Sequence, residues 1–278
     1  MIVTDSIEEV REICKQDKNL SWGLVPTMGY LHEGHLSLAR RARGENDRLA
    51  VSIYVNPTQF APDEDLDSYP RALERDLQLL RAEGVDLVFT PTNSTMYPPG
   101  FQTSVTVDEI SKYLEGSSRP THFQGVTTVV AKLFNIIQPT RAYFGQKDAQ
   151  QAVVLKRMVQ DLNFDIELVI CPIVREEDGL AQSSRNKYLS AEQRSGANVL
   201  YRALLAAQEA YQKGEHRGQK LRQIMEDTIS QEALAKIDYV SVADQETLLE
   251  LDDASGGALF SMAVFFGKTR LIDNILVR

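Results

Sequence analysis

Cysteine is scarce. The chain of 278 residues has two, Cys14 and Cys171, far apart. Two cysteines cannot build a disulfide framework or a four-cysteine zinc site. Cys171 closes the apolar run Leu168-Val169-Ile170-Cys171, so it reads as a buried free thiol, and the usage fits a reducing cytosol. No run of about 18 apolar residues occurs, which excludes an apolar membrane-spanning helix. The first residues, Met1-Ile2-Val3-Thr4-Asp5-Ser6, have neither a basic nor an apolar stretch, so no signal peptide is expected. Basic charge is also short. Thirty Lys and Arg against 39 Asp and Glu leave a net charge of −9, which argues against general affinity for nucleic acid or anionic membrane. A local basic pocket for a small anion remains compatible with that balance. There is no internal repeat and no low-complexity tract.

What is present suits a soluble globular protein: 43% of residues are apolar and 25% charged. The length fits one large domain or two modest ones. Up to about residue 175, strand and helix signals alternate. Strands are expected at 24–26, 49–55, 85–89, 142–144 and 166–170. Helices are expected at 36–43, 69–82 (ending at Gly84), 126–137 and 149–159, with a proline-punctuated turn region at 90–100. This alternation predicts a Rossmann-like, doubly wound parallel sheet with helices on both faces, whose ligands bind beyond the carboxyl ends of the strands. Beyond residue 179 the pattern changes to helices at 191–212 and 219–234, then strands at 237–242 and 258–266. A smaller α+β domain is expected there. The division expected is a catalytic domain at 1–178 and a C-terminal lid domain at 179–278. Trp22 and the leucine stripes read as core.

Four segments after strands carry candidate chemistry. The first is Pro26-Thr27-Met28-Gly29-Tyr30-Leu31-His32-Glu33-Gly34-His35. A helix start offers backbone N–H groups and a positive dipole end suited to phosphate. Two of the chain's four histidines fall here three residues apart, on one face of the first turn. A protonated imidazole there can bond a triphosphate and stabilise departing pyrophosphate. The second is Asn56-Pro57-Thr58-Gln59, whose amides can orient a hydroxyl or carboxylate. The adjacent Asp63-Glu64-Asp65 run reads as solvated loop rather than a metal site. The third is Gly145-Gln146-Lys147-Asp148, with Gln151 one turn on. Lys147 can neutralise phosphate oxygens, and Asp148 can cap the helix or bind a ribose hydroxyl or hydrated Mg2+. The fourth runs from Val174 and Arg175 through Gly179 to Gln182-Ser183-Ser184-Arg185-Asn186. Hydroxyls and a guanidinium suit a polyphosphate, and Gly179 would let the segment move as a lid. Arg119 and His122 are further candidate substrate contacts; His216 reads as exposed loop.

The His32-x-x-His35 turn resembles the HIGH-type motif of the nucleotidylyltransferase superfamily. The whole set resembles the pantoate–β-alanine ligase family: Pro26-Thr27-Met28-Gly29 with His32 and Gly34-His35; Val55-Asn56-Pro57 with Gln59-Phe60, Asp65-Leu66 and Tyr69-Pro70-Arg71; and residues 129–151 and 175–186. That resemblance covers about residues 20–190. It implies an ATP-dependent, AMP-forming ligase acting through pantoyl adenylate, with Mg2+ carried on ATP and no dedicated protein metal site. By the same resemblance, Met28, Gly29, Tyr30, Leu31, His32, Glu33, Gly34, His35, Gly145, Gln146, Lys147, Asp148, Val174, Gln182, Ser183, Ser184 and Arg185 contact ATP. The catalytic groups implied are His35 as proton donor, His32, Lys147 and Arg185. Gln59 and Gln151 hold pantoate, with Gln59 also near β-alanine; Asn56, Arg119 and His122 join this substrate set. Gln182 and Thr121 depart from the family pattern beside these residues. A cytoplasmic homodimer is also implied. The alternatives are an adenylyltransferase that passes AMP to a phosphate-bearing acceptor, a tRNA synthetase, for which the chain is short and acidic, and a non-catalytic ATP-binding regulator.

Overall fold

Runs of β-branched and apolar residues alternate with amphipathic stretches, and the central strands of the parallel sheet are buried almost throughout. The computed structural model describes residues 1–61, 64 and 66–278. Expectations resting on Asp63 and Asp65 therefore lie outside the described residues. In chain order the elements are β1 (Ile2–Thr4), α1 (Ile7–Gln16), β2 (Trp22–Thr27), α2 (Glu33–Glu45), β3 (Arg48–Ile53), α3 (Leu73–Ala82), β4 (Leu87–Phe89) and the short α4 (Asn93–Met96) and α5 (Glu115–Ser118). There follow α6 (His122–Ile137), β5 (Arg141–Gly145), α7 (Ala149–Asp161), β6 (Glu167–Cys171), α8 (Ala191–Gly196), α9 (Val199–Gln212), α10 (Gly218–Ile229), β7 (Ala235–Ala243), β8 (Ala258–Phe266) and β9 (Thr269–Val277). The chain divides into two units. One comprises residues 1–145 and 154–172; the other comprises 146–153 and 173–278.

The first unit is a six-stranded sheet of order β1-β4-β3-β2-β5-β6, parallel throughout. Leu36, Ala39 and Ala42 of α2 and Leu80 of α3 pack on one face against Val25, Leu49, Val51 and Val88. Helices α1 and α6 pack together, and α6 lies on β2. Cys171 is a buried free thiol, as expected. The chain builds outward from β2 to β3 and β4 on one side and from β5 to β6 on the other. The topological switch point therefore falls between β2 and β5, where a doubly wound sheet opens a crevice beyond its carboxyl ends.

Pro26 lies inside β2, although a ring without an N–H would break a central ladder. The carbonyl of Trp22 accepts from the N–H of Thr140, toward β5, and that of Thr27 accepts from Tyr54, toward β3. Alternate residues thus face alternate neighbours, and Pro26 faces β5. Pairing of β2 with β5 ends at Leu24, so the missing donor breaks no bond. At the end of α3, Gly84 takes φ +73° and Val85 N–H reaches the Leu80 carbonyl. This is the glycine stop expected there.

Several boundaries differ from expectation. Helix α2 begins at Glu33 and α6 at His122, a turn earlier than the apolar periodicity indicates. The first turn of α2 is held by a capping box, whereas that of α6 has no side-chain cap and buries Phe123 and Gly125. Residues 69–72 are not helical. The short β1 and β9 have no counterpart in the expected pattern. The single helix expected over 191–212 is two, α8 and α9, separated at Ala197 and Asn198. Gly196 and Asn198 are weak helix formers, and Gly196 sits against the Glu232 side chain with no room for a Cβ.

The second unit is two-layered, with α9 and α10 covering the antiparallel sheet β7-β8-β9. Leu200, Leu204, Leu221 and Met225 interdigitate with Phe260, Met262 and Phe266. Leu204 is fully buried. Leu204→Ala should lower the unfolding free energy of this unit by roughly 2–5 kcal/mol, measured by urea denaturation followed by circular dichroism.

Candidate active site

Strand β2 ends at Thr27, beside the switch point. The Thr27 hydroxyl donates to the Ser52 carbonyl (2.8 Å) and accepts from Gly29 N–H (3.1 Å). This starts a tight turn in which Gly29 has φ +81° and Tyr30 φ +51°. A Cβ at Gly29 would stand 3.0 Å from Ile53, so both conformation and space call for glycine. Asp76 of α3 closes the turn. Its carboxylate accepts from the N–H groups of Tyr30 (2.6 Å) and Leu31 (2.9 Å), and it is almost fully buried. Arg75 donates to the Leu31 carbonyl (2.9 Å) and lies over the Tyr30 ring.

His32 and His35 then cap α2 reciprocally. Gly34 N–H donates to His32 Nδ1 (3.2 Å), and His32 N–H donates to His35 Nδ1 (3.4 Å). The ring centroids are 4.1 Å apart. With both Nδ1 atoms accepting, the proton of each neutral ring sits on Nε2. Both rings thus stand side by side at a helix N-terminus. Glu33 points elsewhere, paired with Arg40.

Asn56 and Gln59 follow β3 on the same edge. Asn56 is 1% exposed. Its Oδ1 accepts from Thr58 N–H, the Thr58 hydroxyl and the Tyr97 hydroxyl. Its Nδ2 donates to Gln59 Oε1 (3.0 Å) and the Gly125 carbonyl (3.0 Å). The Asn56 amide is spent within the protein, and it sets the orientation of Gln59. The Gln59 carbonyl is held from the other side: His122 Nδ1 lies 2.9 Å away and Arg119 Nη2 3.2 Å away. Arg119 is itself gripped by Glu64, with both contacts at 2.6 Å. Close approach of α6 is possible because residue 125 is glycine; a Cβ there would meet the Thr58 carbonyl at 2.4 Å. A carbonyl only accepts, so His122 Nδ1 carries the proton. Burial, then the adjacent Arg119 charge, hold the His122 pKa down to about 4.

Gly145 ends β5 in the first unit; Gln146, Lys147, Asp148 and Gln151 belong to the second. Lys147 Nζ lies 3.4 Å from Asp148. The carbonyls of Gln146 and Lys147 each accept from Asn274 Nδ2 at 2.9 Å. Residues 174–182 form a hairpin. Arg175 bridges Ala181, Gln182 N–H donates to the Val174 carbonyl, and Arg194 holds Asp178 at the tip (2.5 Å). Gly179, at φ +93°, packs flush on the Tyr201 ring. Ser183 caps the following helical turn by accepting from Arg185 N–H. His216, expected as exposed loop, stacks edge-on against Tyr211.

Sequence patterning missed Asp76, Tyr97, Asp273 and Asn274. Asp76 looks like surface charge in Glu74-Arg75-Asp76. The polar pair Asp273-Asn274 inside an otherwise apolar strand was the one visible signal.

The doubly wound sheet and the paired-histidine helix start at its switch point define a nucleotidylyltransferase-type α/β enzyme. The sequence model described as Pantoate-beta-alanine ligase matches residues 2–276. The pantothenate synthetase of Acetivibrio thermocellus is 55% identical over 100% of this chain and 99% of its own length. That of Roseiflexus castenholzii is 60% identical over 92% of each. The crystal structure of pantothenate synthetase from Thermus thermophilus superposes with a TM-score of 0.95 at 49% identity, covering 99% of both chains. The pantoate–β-alanine ligase of Francisella tularensis, solved with β,γ-ATP and β-alanine, superposes with a TM-score of 0.81 at 36% identity, covering 99% of this chain and 97% of that one. The chain belongs to the pantoate–β-alanine ligase family. It catalyses ATP-dependent condensation of (R)-pantoate with β-alanine, through pantoyl adenylate, to pantothenate, AMP and pyrophosphate.

Two outcomes test this geometry. Asp76→Ala orphans two backbone donors and should cost about 2–4 kcal/mol, with a raised KM for ATP; a Tm and an ATP titration check both. His122 has a folded pKa below its ordinary value, so the unfolded chain binds the extra proton first as pH falls. Stability should decline from about pH 6.5 toward pH 4, and less steeply in His122→Asn, measured by urea midpoints across that range.

Proposed function

We propose that the residues assembled above divide the two steps of the reaction as follows. In the first unit, the turn of residues 28–35 takes the nucleotide. His32 and His35 donate hydrogen bonds from Nε2 to phosphate oxygens, with His35 stabilising the charge that develops on departing pyrophosphate. Gln59 has its Oε1 engaged by Asn56, so its Nε2 is the end presented to a substrate oxygen. It holds pantoate, and β-alanine in the second step. Asn56, Arg119 and His122 act on Gln59 rather than on the substrate. Gly145, at the end of β5 in the first unit, also frames the nucleotide. In the second unit, Lys147, the hydroxyls of Ser183 and Ser184, and Arg185 take phosphate charge; Gln146, Val174 and Gln182 frame the nucleotide, and Gln151 assists with pantoate.

The carboxylate of pantoate attacks the α-phosphorus, and the P–O bond to pyrophosphate breaks. The β-alanine amine then attacks the acyl carbon and AMP leaves with the bonding pair. Neither step needs a protein nucleophile, and the groups present are suited to positioning and charge stabilisation. Mg2+ would ride on the ATP phosphates, which it favours over all-protein cages. Asp148, with nearly half of its side chain exposed, is the carboxylate suited to meet it, and the ion would neutralise phosphate charge. No helix of the described residues is long and apolar enough to cross a membrane. Two free thiols and the family resemblance support a cytoplasmic setting, and the resemblance supports a homodimer.

The observation that carries this reading is the reciprocal histidine cap, which sets two imidazoles side by side at one helix start. ATP–pyrophosphate exchange with (R)-pantoate and Mg2+, without β-alanine, tests it. The native protein should exchange, and His35→Ala should lose on the order of a hundredfold or more with unchanged circular dichroism. Near-native exchange in that variant would remove His35 from the chemistry.

A further inference from the structure

Strand β9 carries two adjacent polar residues, Asp273 and Asn274, which are 1% and 3% exposed. Neighbouring side chains on a strand point to opposite faces, so each serves a different partner. Buried polar side chains in a strand cost free energy unless their hydrogen bonds are made, and here they are made to two segments of the same unit that carry nucleotide-site residues.

Asn274 uses its whole amide. Its Nδ2 donates to the carbonyls of Gln146 and Lys147, both at 2.9 Å, and its Oδ1 accepts from Gln146 Nε2 at 3.0 Å. Two consecutive carbonyls of the turn bearing Lys147 are thus fixed by one side chain. Asp273 binds Arg175 through both oxygens, at 2.6 and 2.9 Å, and also accepts from Asn274 N–H (2.8 Å). Arg175 in turn donates to the Gly179 carbonyl (3.0 Å) and stacks 3.9 Å from the Tyr201 ring centroid. It holds the 174–182 hairpin, from which Ser183 and Arg185 follow. Planar, two-point guanidinium–carboxylate pairing fixes orientation as well as distance.

We infer that Asn274 is a positioning residue for Lys147, and that Asp273, through Arg175, positions the 174–182 hairpin, so that β9 sets both phosphate-facing segments of the second unit. The inference rests on the reading of Lys147 as a phosphate contact. Neither residue reaches the reacting atoms; each acts on the main chain that carries a residue that does. Misplacing a charge-stabilising group by about 1 Å is enough to cost on the order of a hundredfold in rate.

A four-member cycle tests this: native protein, Lys147→Ala, Asn274→Ala and the double variant, each assayed for kcat/KM of ATP in pantoate-dependent ATP–pyrophosphate exchange. Asn274→Ala should fall on the order of tenfold to a hundredfold. In the Lys147→Ala background the same change should cost less than about twofold, because the group it positions is gone. Equal losses in both backgrounds would mean that Asn274 acts through general stability and would overturn the inference. So would native-level exchange in Asn274→Ala while Lys147→Ala is impaired. Native-level exchange in Lys147→Ala would sink the phosphate role of Lys147 itself, and the inference with it. If the alanine variant does not fold, Asn274→Ser, smaller but still a donor, supplies the same comparison.

Discussion

A parallel sheet buried on both faces has no room for polar function along its strands. Every functional side chain is sent to the strand ends, and only where the winding direction reverses do those ends open rather than close over. The first unit obeys this constraint closely. Its strand interiors are largely apolar, and the turn after β2 and the amides after β3 stand at the carboxyl edge. The tolerance of Pro26 inside β2 has the same origin, since the pairing that would need its N–H has already ended.

At those ends one device recurs. The groups expected to meet substrate are held less by their own side chains than by a grip on the main chain beneath them. Asp76 takes two backbone N–H groups of the turn before His32. His122 and Arg119 take the carbonyl of Gln59, and Asn274 takes two carbonyls around Lys147. Each grip uses a buried polar group that would be costly if unpaired, so the turn and its anchor stabilise one another. Burial, then the Arg119 charge, hold the His122 pKa down despite its bond to the carbonyl, so a neutral imidazole makes the grip without adding a second buried charge.

Much of this was legible in the chain order. Strands β2 to β6, the helices between them and the glycine stop at Gly84 follow from hydrophobic period and local turn chemistry. The motifs at 28–35, 56–59 and 145–148 stood out as polar, glycine-bearing segments after strands. Other features were hidden for identifiable reasons. Asp76 lies 46 residues from Tyr30 in sequence, and Asn274 lies 127 from Lys147; nothing local marks either as an anchor. The contact of Gly196 with Glu232 and the pairing of Asp178 with Arg194 join positions far apart in sequence.

By itself the sequence determined the alternation that makes a parallel sheet, the placement of phosphate-suited residues after strands and the family to which the chain belongs, because periodicity, caps and motif spacing are properties of neighbours. Only the tertiary structure decided what each motif residue is free to do. It brought Asn56, Arg119 and His122 against Gln59, joined His32 and His35 in one cap, and brought the last strand to the turn of Lys147. Those outcomes depend on hydrogen bonds between segments distant in sequence, which form only once burial has excluded water as their competitor.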